Sequence, residues 1–212
     1  MNPLAAGAAL VKPYFFSFGT ACTYYGLTEQ VFTEIYIACQ QRRRPERIRD
    51  TRYIFVDIHP DRFFGFKEAN VLGEVVQMAT CERALLDALD RPRYAGGIGE
   101  VSRMVSKSGG KLSWNALLNS LRRWNESALV QRLGYLLDLH QVDLPQEHRR
   151  ALLSLMKLDS KVHLGSRSRW GLSGKLASPW NIIENVPKDV LVEKNERFKR
   201  PIILKRPELP RD

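Results

Sequence analysis

The sequence predicts a mixed α/β fold: a mixed sheet with packed helices in the N-terminal half, then a helical C-terminal half with short returning strands. Three observations predict it. Between residues 34 and 78, short segments alternate β-branched and aromatic residues, as strands do. Beyond Gly97 the apolar residues recur with a helical period. Residues 161–185 are interrupted by glycine and proline, which favours short strands and turns.

In the N-terminal half, an apolar first helix is expected at residues 4–11, and a second helix at residues 20–25 ends at Gly26. A loop rich in arginine follows the first predicted strand. The last predicted strand runs directly into a helix. The predicted strands span residues 34–39, 52–58, 62–66 and 73–78.

The helix after this sheet carries the most informative run of the chain. Thr80 is a suitable N-cap, and Glu82 lies in the first turn, where its negative charge interacts favourably with the helix dipole. Pro92 prevents the helix from continuing beyond about Arg91, and a glycine-rich turn follows. This end of the helix gives a candidate partner surface, the turn surface, whose members are Asp87, Asp90, Arg91, Arg93 and Tyr94.

In the C-terminal half, the pattern predicts helices at residues 100–105, 114–124, 127–139 and 146–158. The third of these has a leucine stripe with Arg132 turned away from it. Strands are predicted at residues 169–172 and 180–183, with Trp170 and Trp180 as anchors. The run of Ser166, Arg167, Ser168 and Arg169 is typical of a basic turn, with an anion site as the alternative.

Composition indicates one main domain. The chain has 212 residues, 44% of them hydrophobic, enough for a substantial core. The predicted organisation is an α/β core at residues 1–97, a helical subdomain at 98–160 packed on it, short strands and loops at 161–193, and a basic tail at 194–212.

The formal net charge of +10 raises the expectation of a phosphate-rich partner such as RNA or DNA. The arginine loop and the C-terminal tail concentrate this charge. Each is either a solvated segment or a nucleic-acid-binding segment. The candidate nucleic-acid-binding residues are Arg42, Arg43, Arg44, Arg47, Lys199 and Arg200.

Three dispersed cysteines, Cys22, Cys39 and Cys81, lie in apolar settings and predict buried reduced thiols in the cytoplasm. Residues 4–11 are too few to cross a bilayer, and no membrane segment is expected.

Motifs for catalysis are incomplete. Leu112 stands where a phosphate-binding loop needs serine or threonine after Lys111. A metal-dependent nuclease would need a lysine two positions after Glu74, and Val76 occupies that place. We therefore expect a protein that is not an enzyme, with no cofactor and no bound metal.

Four blocks, in order along the chain, carry a resemblance to a known family. They are residues 24–30 (YYGLTEQ), 62–65 (RFFG), 86–97 (LDALDRPRYAGG) and 132–137 (RLGYLL). Together they resemble the AbiEi family of antitoxins, from type IV toxin-antitoxin systems of the abortive-infection AbiE type. The resemblance extends over about residues 10–172.

This resemblance implies a cytoplasmic phage-defence protein that counteracts a nucleotidyltransferase-like toxin, typically without a stable complex, and residues 1–97 would be its antitoxin core. Family members resemble a winged helix-turn-helix followed by this domain. Because the chain begins at about the point where that module should have ended, we expect the winged helix to be missing.

Three functions stay open at the level of the sequence. The favoured one is a non-enzymatic antitoxin that competes for the toxin's RNA or nucleotide substrate or touches the toxin transiently. The second is a nucleic-acid-binding transcriptional regulator of its own operon. The third is an enzyme that modifies the toxin, for example a phosphotransferase.

Overall fold

The computed structural model describes residues 2–157 and 159–192. A six-stranded mixed sheet lies in its N-terminal half, in the strand order β3-β4-β2-β1-β6-β5. The mixed α/β fold predicted from the sequence is confirmed. The strands are β1 (Tyr14–Phe16), β2 (Glu34–Cys39), β3 (Glu46–Ile48), β4 (Thr51–Asp57), β5 (Phe66–Val71) and β6 (Glu74–Ala79).

The short strand β1 joins two halves of this sheet. On one side it pairs antiparallel with β2, which runs parallel to β4. On the other side it meets β6 in parallel, through the pair Phe16 and Met78. Strands β3 and β4 form one antiparallel pair, and β5 and β6 form another. All three residues of β1 are buried, so the sheet is continuous through the core.

The helices pack around α3, which follows β6 directly. Helix α3 contacts α2, α4, α5 and α6, and its residues are buried from Cys81 to Leu89. Thr80 caps it as predicted, because its side chain accepts a hydrogen bond from the Arg83 backbone N–H. The longer helices are α1 (Pro3–Ala8), α2 (Phe18–Tyr24), α3 (Cys81–Asp90), α4 (Ile98–Lys107), α5 (Trp114–Trp124), α6 (Ser127–Leu139) and α7 (Gln146–Ser154).

The C-terminal segment returns to the body as a three-stranded sheet in the order β7-β9-β8. Its strands are β7 (Val162–His163), β8 (Lys175–Ala177) and β9 (Ile182–Glu184), and two short helices, α8 (Arg167–Trp170) and α9 (Lys188–Leu191), accompany them. Helix α6 contacts both β7 and β9.

A buried ion pair lies on α3. The Arg83 Nε donates to Asp87 Oδ2 at 2.9 Å, and the hydroxyl of Ser17, the N-cap residue of α2, donates to the same oxygen at 2.6 Å. The Arg83 guanidinium lies 4.9 Å from the ring centroid of Phe64 and 4.4 Å from that of Trp124. Asp87 therefore fixes α2 against α3 from inside the core.

Trp180 fixes the small sheet to α6. Its side chain is fully buried, and its indole Nε1 donates to Asp138 Oδ2 at 2.6 Å. The ring lies directly against Gly134, where an added Cβ would approach ring carbons within 2.3 Å. The Gln131 side chain donates to the Trp180 carbonyl at 3.1 Å. Trp180 is thus the anchor that the sequence predicts.

Several predicted elements are wrong in detail. Residues 62–66 are not a strand, because a 3₁₀ turn at Pro60–Arg62 and Gly65, with a φ of 75°, precede β5. Residues 169–172 are not a strand either, since α8 covers residues 169 and 170 and is followed by its C-cap, Gly171, with a φ of 77°. The arginine loop contains strand β3, and the central strand β1 was not predicted.

The predicted burial of the three cysteines is confirmed: each is a buried free thiol. Burial raises the pKa of the Cys22 thiol and raises that of Cys81 to about 11. None of the helices within the described ranges has the length and apolar character that a membrane span requires.

Candidate functional site

The end of α3 forms one wall of a cleft. Pro92 begins a 3₁₀ turn, and the chain then passes through Gly96 and Gly97, whose φ angles are 79° and 89°. A Cβ on Gly96 would approach the side-chain oxygen of Gln30 within 2.3 Å, so both space and backbone conformation favour glycine there. Gly97 is the N-cap of α4, which starts directly at the cleft.

The cleft has a volume of about 820 Å³. Its walls come from four parts of the chain: the turn after α3, the start of α4, helix α6, and residues 164–170 together with α9. Five arginines and three carboxylates line it. They are Arg91, Arg93, Arg103, Arg132 and Arg169, with Asp90, Glu100 and Asp189.

Two of these arginines are neutralised inside the cleft wall. The Arg91 Nε lies 3.3 Å from Asp90 Oδ2, and its Nη1 donates to the Asp57 carbonyl at 3.0 Å. Arg103 donates to Glu100 Oε2 from two nitrogens, at 2.8 and 2.5 Å. Glu100 also accepts from the Thr28 hydroxyl. These ion pairs restrict the motion of the wall, and the carboxylates largely offset the positive charge of Arg91 and Arg103.

The surroundings of Arg132 differ from those of Arg91 and Arg103. It lies half-buried, and its Nε donates to the His163 carbonyl at 3.2 Å. Burial lowers the pKa of its guanidinium, and the charges of Glu126 and Asp90 oppose that shift. Within residues 2–157 and 159–192, no carboxylate lies within ion-pair distance of it. Arg132 therefore presents a partly desolvated positive charge to the cleft without a direct counter-charge.

Arg93 and Arg169 add two exposed cations, each placed over an aromatic ring. The Arg93 guanidinium lies 4.5 Å from the centroid of Tyr94 and donates to its hydroxyl at 2.7 Å. The Arg169 guanidinium lies 5.3 Å from the centroid of Trp170. In the part of the chain that the structure describes, neither is paired with a carboxylate. Their aromatic partners limit the number of rotamers that each arginine can occupy.

The structure divides the predicted turn surface. Asp90, Arg91 and Arg93 lie together on the cleft wall. Asp87 was wrongly placed on the surface, because it is 1% exposed and belongs to the core ion pair. Tyr94 is half-buried, with its ring 5.3 Å from that of Phe18, so it mainly packs the turn onto α2.

The predicted nucleic-acid-binding residues of the arginine loop, Arg42, Arg43, Arg44 and Arg47, do not line this cleft. The Arg43 side chain is fixed by contacts within the protein, since it pairs with Glu46 at 2.5 Å and lies 4.8 Å from the Phe55 ring centroid. Arg42, Arg44 and Arg47 are exposed on and before β3, the edge strand of the large sheet. Lys199 and Arg200, with the rest of the predicted tail from residue 194, lie outside the described residues.

Sequence reasoning missed two cleft arginines, Arg103 and Arg132. Arg132 does point away from the leucine stripe of α6, but the opposite side of the helix faces the cleft rather than open solvent. The sequence did contain a signal for a third cleft residue, because the basic run that includes Ser166 and Arg169 was an alternative anion site. No periodicity could show that this run meets the turn after α3.

Asp90 gives a test of the electrostatics of this wall. Burial, and the charge of Glu126, raise the pKa of its carboxyl, while Arg91 and Arg62 act in the opposite direction. The folded state therefore holds the proton more tightly than the unfolded chain does, and stability is lost as the pH rises through the folded pKa. Asp90 is also the last residue of α3, where a negative charge opposes the helix dipole.

We therefore expect Asp90→Asn to raise the free energy of unfolding at pH 7. Near pH 3, below the ordinary aspartate pKa of about 3.9, it should change little. Urea unfolding of both proteins across this range measures the difference. A variant that is less stable than the wild type at pH 7 would mean that the pair with Arg91 outweighs the cost of burial.

Comparison with known proteins supports the fold and identifies no family. No protein-family model matches the chain, and no curated protein matches it significantly. Among solved structures, the chain is similar to the RV2827C protein from Mycobacterium tuberculosis, with a TM-score of 0.61 and 15% sequence identity. That similarity covers 89% of this chain and 69% of the other.

Proposed function

We propose that this protein is a non-enzymatic antitoxin of the AbiEi type, which opposes a nucleotidyltransferase-like toxin through the arginine-lined cleft. One observation carries the proposal. Two of the four sequence blocks that resemble the family line this cleft, and a third contacts a lining residue. Residues 86–97 and 132–137 supply parts of its walls, and Gln30, in the block 24–30, lies against Gly96.

The fourth block supports the same wall from behind. The carbonyls of Arg62 and Phe64 accept hydrogen bonds from Arg83 at 2.6 and 3.1 Å. Arg83 in turn holds Asp87, in the middle of the 86–97 block. The Arg62 side chain pairs with Glu126 at 2.8 Å, at the start of α6. The four blocks thus form one connected unit, which favours a shared function over four separate packing roles.

The chemistry of the cleft suits an antagonist of a nucleotide-transferring enzyme. Such a toxin acts on nucleotide and RNA substrates, whose phosphates are anions, and the cleft presents positive charge that its own carboxylates do not neutralise. The protein would act by occupying or withholding a phosphate-bearing group, which needs no bond making or breaking.

The proposal predicts that a nucleotidyltransferase-like gene lies beside the gene for this chain, and that its induction stops growth. Co-expression of the wild-type chain should restore growth. The double variant Arg93→Ala, Arg169→Ala should abolish the rescue, because it removes two exposed cleft cations without disturbing the core. Growth curves under toxin induction measure the effect.

A matched control removes the same charge elsewhere. Arg122 on α5 and Arg150 on α7 are exposed and lie outside the cleft, so Arg122→Ala, Arg150→Ala should still rescue. Thermal melting checks that both variants fold. If the soluble wild-type chain fails to rescue, the proposal is wrong. Duplex-DNA binding that weakens steeply with salt would then favour a regulator that uses Arg42, Arg44 and Arg47.

A further inference from the structure

We propose that the cleft binds one free nucleotide, with its phosphates held by Arg93, Arg132 and Arg169 and its base placed against Trp170. The inference deepens the proposed function, because a free nucleotide is a substrate class of the toxin that the protein would oppose. Nucleotide binding can still be measured on the purified chain alone, without any toxin.

The setting of Arg132 favours an anion as the ligand of the cleft. A positive charge that is partly removed from water is costly unless an opposite charge approaches it. Arg132 is such a charge, since its one hydrogen bond among the described residues goes to the neutral carbonyl of His163. The guanidinium has further N–H donors, which a ligand in the cleft can reach. An anionic ligand would supply the missing counter-charge.

The number of unpaired guanidinium groups among the described residues favours phosphate over a single carboxylate as that anion. Three guanidinium groups without a carboxylate partner in the described ranges line one cleft, and they come from three separate segments. A single carboxylate would neutralise one of them, whereas a chain of phosphates carries several charges and many acceptor oxygens. The planar donor fork of arginine matches phosphate geometry in two-point contacts.

The start of α4 adds to this preference. Gly97 gives it no side-chain cap, and the first backbone N–H groups of a helix have no partner within the helix. A Cβ built on Gly97 meets no atom within 4 Å, so the space beside this backbone is open toward a ligand. These N–H groups act beside the arginines as additional donors for an anion.

The size and the apolar lining of the cleft favour a nucleotide over inorganic phosphate. The cleft, at about 820 Å³, falls within the range of about 300–1,000 Å³ that small-molecule sites occupy. Its lining also includes the apolar residues Leu89, Ile98 and Leu164 and the half-buried ring of Trp170. An aromatic ring beside a cluster of cations is the combination that binds a base and its phosphates.

The carboxylates of the cleft do not cancel this charge. Asp90 is paired with Arg91, and Glu100 is paired with Arg103. Asp189 stands exposed on α9, at another wall. Converting Asp90 to asparagine would free Arg91 from its closest counter-ion, so Asp90→Asn should tighten nucleotide binding rather than weaken it.

The test is isothermal titration calorimetry of the full chain with ATP, GTP, CTP and UTP in turn. Separate arms use sodium tripolyphosphate, the matching nucleosides, and a short single-stranded RNA without a terminal phosphate. We expect at least one nucleoside triphosphate to bind, tripolyphosphate to bind about tenfold more weakly because it lacks a base, and nucleosides to show no measurable binding.

Variants locate the site. Arg132→Met and Arg169→Ala should each weaken nucleotide binding by about tenfold or more, since each removes charge-assisted hydrogen bonds. Arg122→Ala, which makes the same change of net charge outside the cleft, should leave the affinity unchanged. Because Arg132→Met could disturb the contact with His163, the exposed Arg169 provides an independent variant, and thermal melting is recorded for all of them.

Three results would overturn the inference: no binding of any nucleoside triphosphate at millimolar concentration, unchanged affinity in both cleft variants, or tight RNA binding without nucleotide binding. Its failure can be told apart from failure of the proposed function. Growth rescue without nucleotide binding would remove this inference alone, and nucleotide binding without rescue would remove the antitoxin role alone.

Discussion

Replacing Asp87 with alanine should destabilise the fold by about 3–5 kcal/mol, the cost of removing one partner from a buried ion pair. The substitution leaves the Arg83 guanidinium, which is fully buried, without its carboxylate. It also leaves the Ser17 hydroxyl without its acceptor at the start of α2. The aromatic rings of Phe64 and Trp124 that enclose Arg83 cannot replace a full negative charge.

Urea unfolding followed by circular dichroism measures this loss. Asp90→Ala provides the matched control, since it removes an aspartate one helical turn later from a more exposed site, where loss of the carboxylate should not destabilise the fold. A double variant, Arg83→Met with Asp87→Leu, removes both charges and should recover much of the stability. A loss below about 1 kcal/mol for Asp87→Ala would show that water or rearrangement satisfies Arg83.

Replacing Gly134 with alanine should destabilise the wild-type protein by about 1–3 kcal/mol, the usual cost of overpacking a core. The new methyl group would lie within 2.3 Å of ring carbons of Trp180, whose side chain is fully buried and cannot retreat into solvent. This loss should occur although alanine is the better helix former, by about 1 kcal/mol.

The decisive measurement is a double-mutant cycle. Trp180→Ala alone should cost about 3–5 kcal/mol, because it empties a large buried volume and removes the hydrogen bond to Asp138. In that background, Gly134→Ala should become neutral or stabilising, since the ring it would strike is gone. Gly109→Ala, where the nearest atom lies 3.7 Å from a new Cβ, is the control in both backgrounds. A cycle with no coupling would contradict the assigned contact.

Much of the fold could be predicted because its signals are local. Helices α5 and α6 have the predicted bounds. Their apolar stripes, the Ser113 cap of α5 and the short connection between the two helices all depend on residues close together in the sequence. Thr80 and Pro92 likewise mark the start and end of α3 through short-range sterics and hydrogen bonding. Strand β1 escaped prediction because three residues are too few to show alternation.

The site could be predicted only in part because it is not local. Periodicity shows which side of a helix is apolar, but it does not show what lies on the other side. It therefore placed Arg132 away from the leucine stripe of α6 without revealing the cleft there. Asp87 was wrongly predicted to be exposed, because a charged residue close to other charged residues usually lies on the surface. Here its partner Arg83 lies one turn earlier on the same helix, and both are buried. Both corrections depend on contacts between distant segments.

Strand β1 also has a kinetic consequence. The β3–β4 and β5–β6 pairs can each form between neighbouring residues, and such local hairpins form within microseconds. The two halves become one sheet only when Tyr14–Phe16 enters between β2 and β6, and its link to β6 closes a long loop between Phe16 and Met78. We therefore expect this closure to be the slow step of folding, with the arginine-lined cleft assembled only after α3 has followed β6 into place.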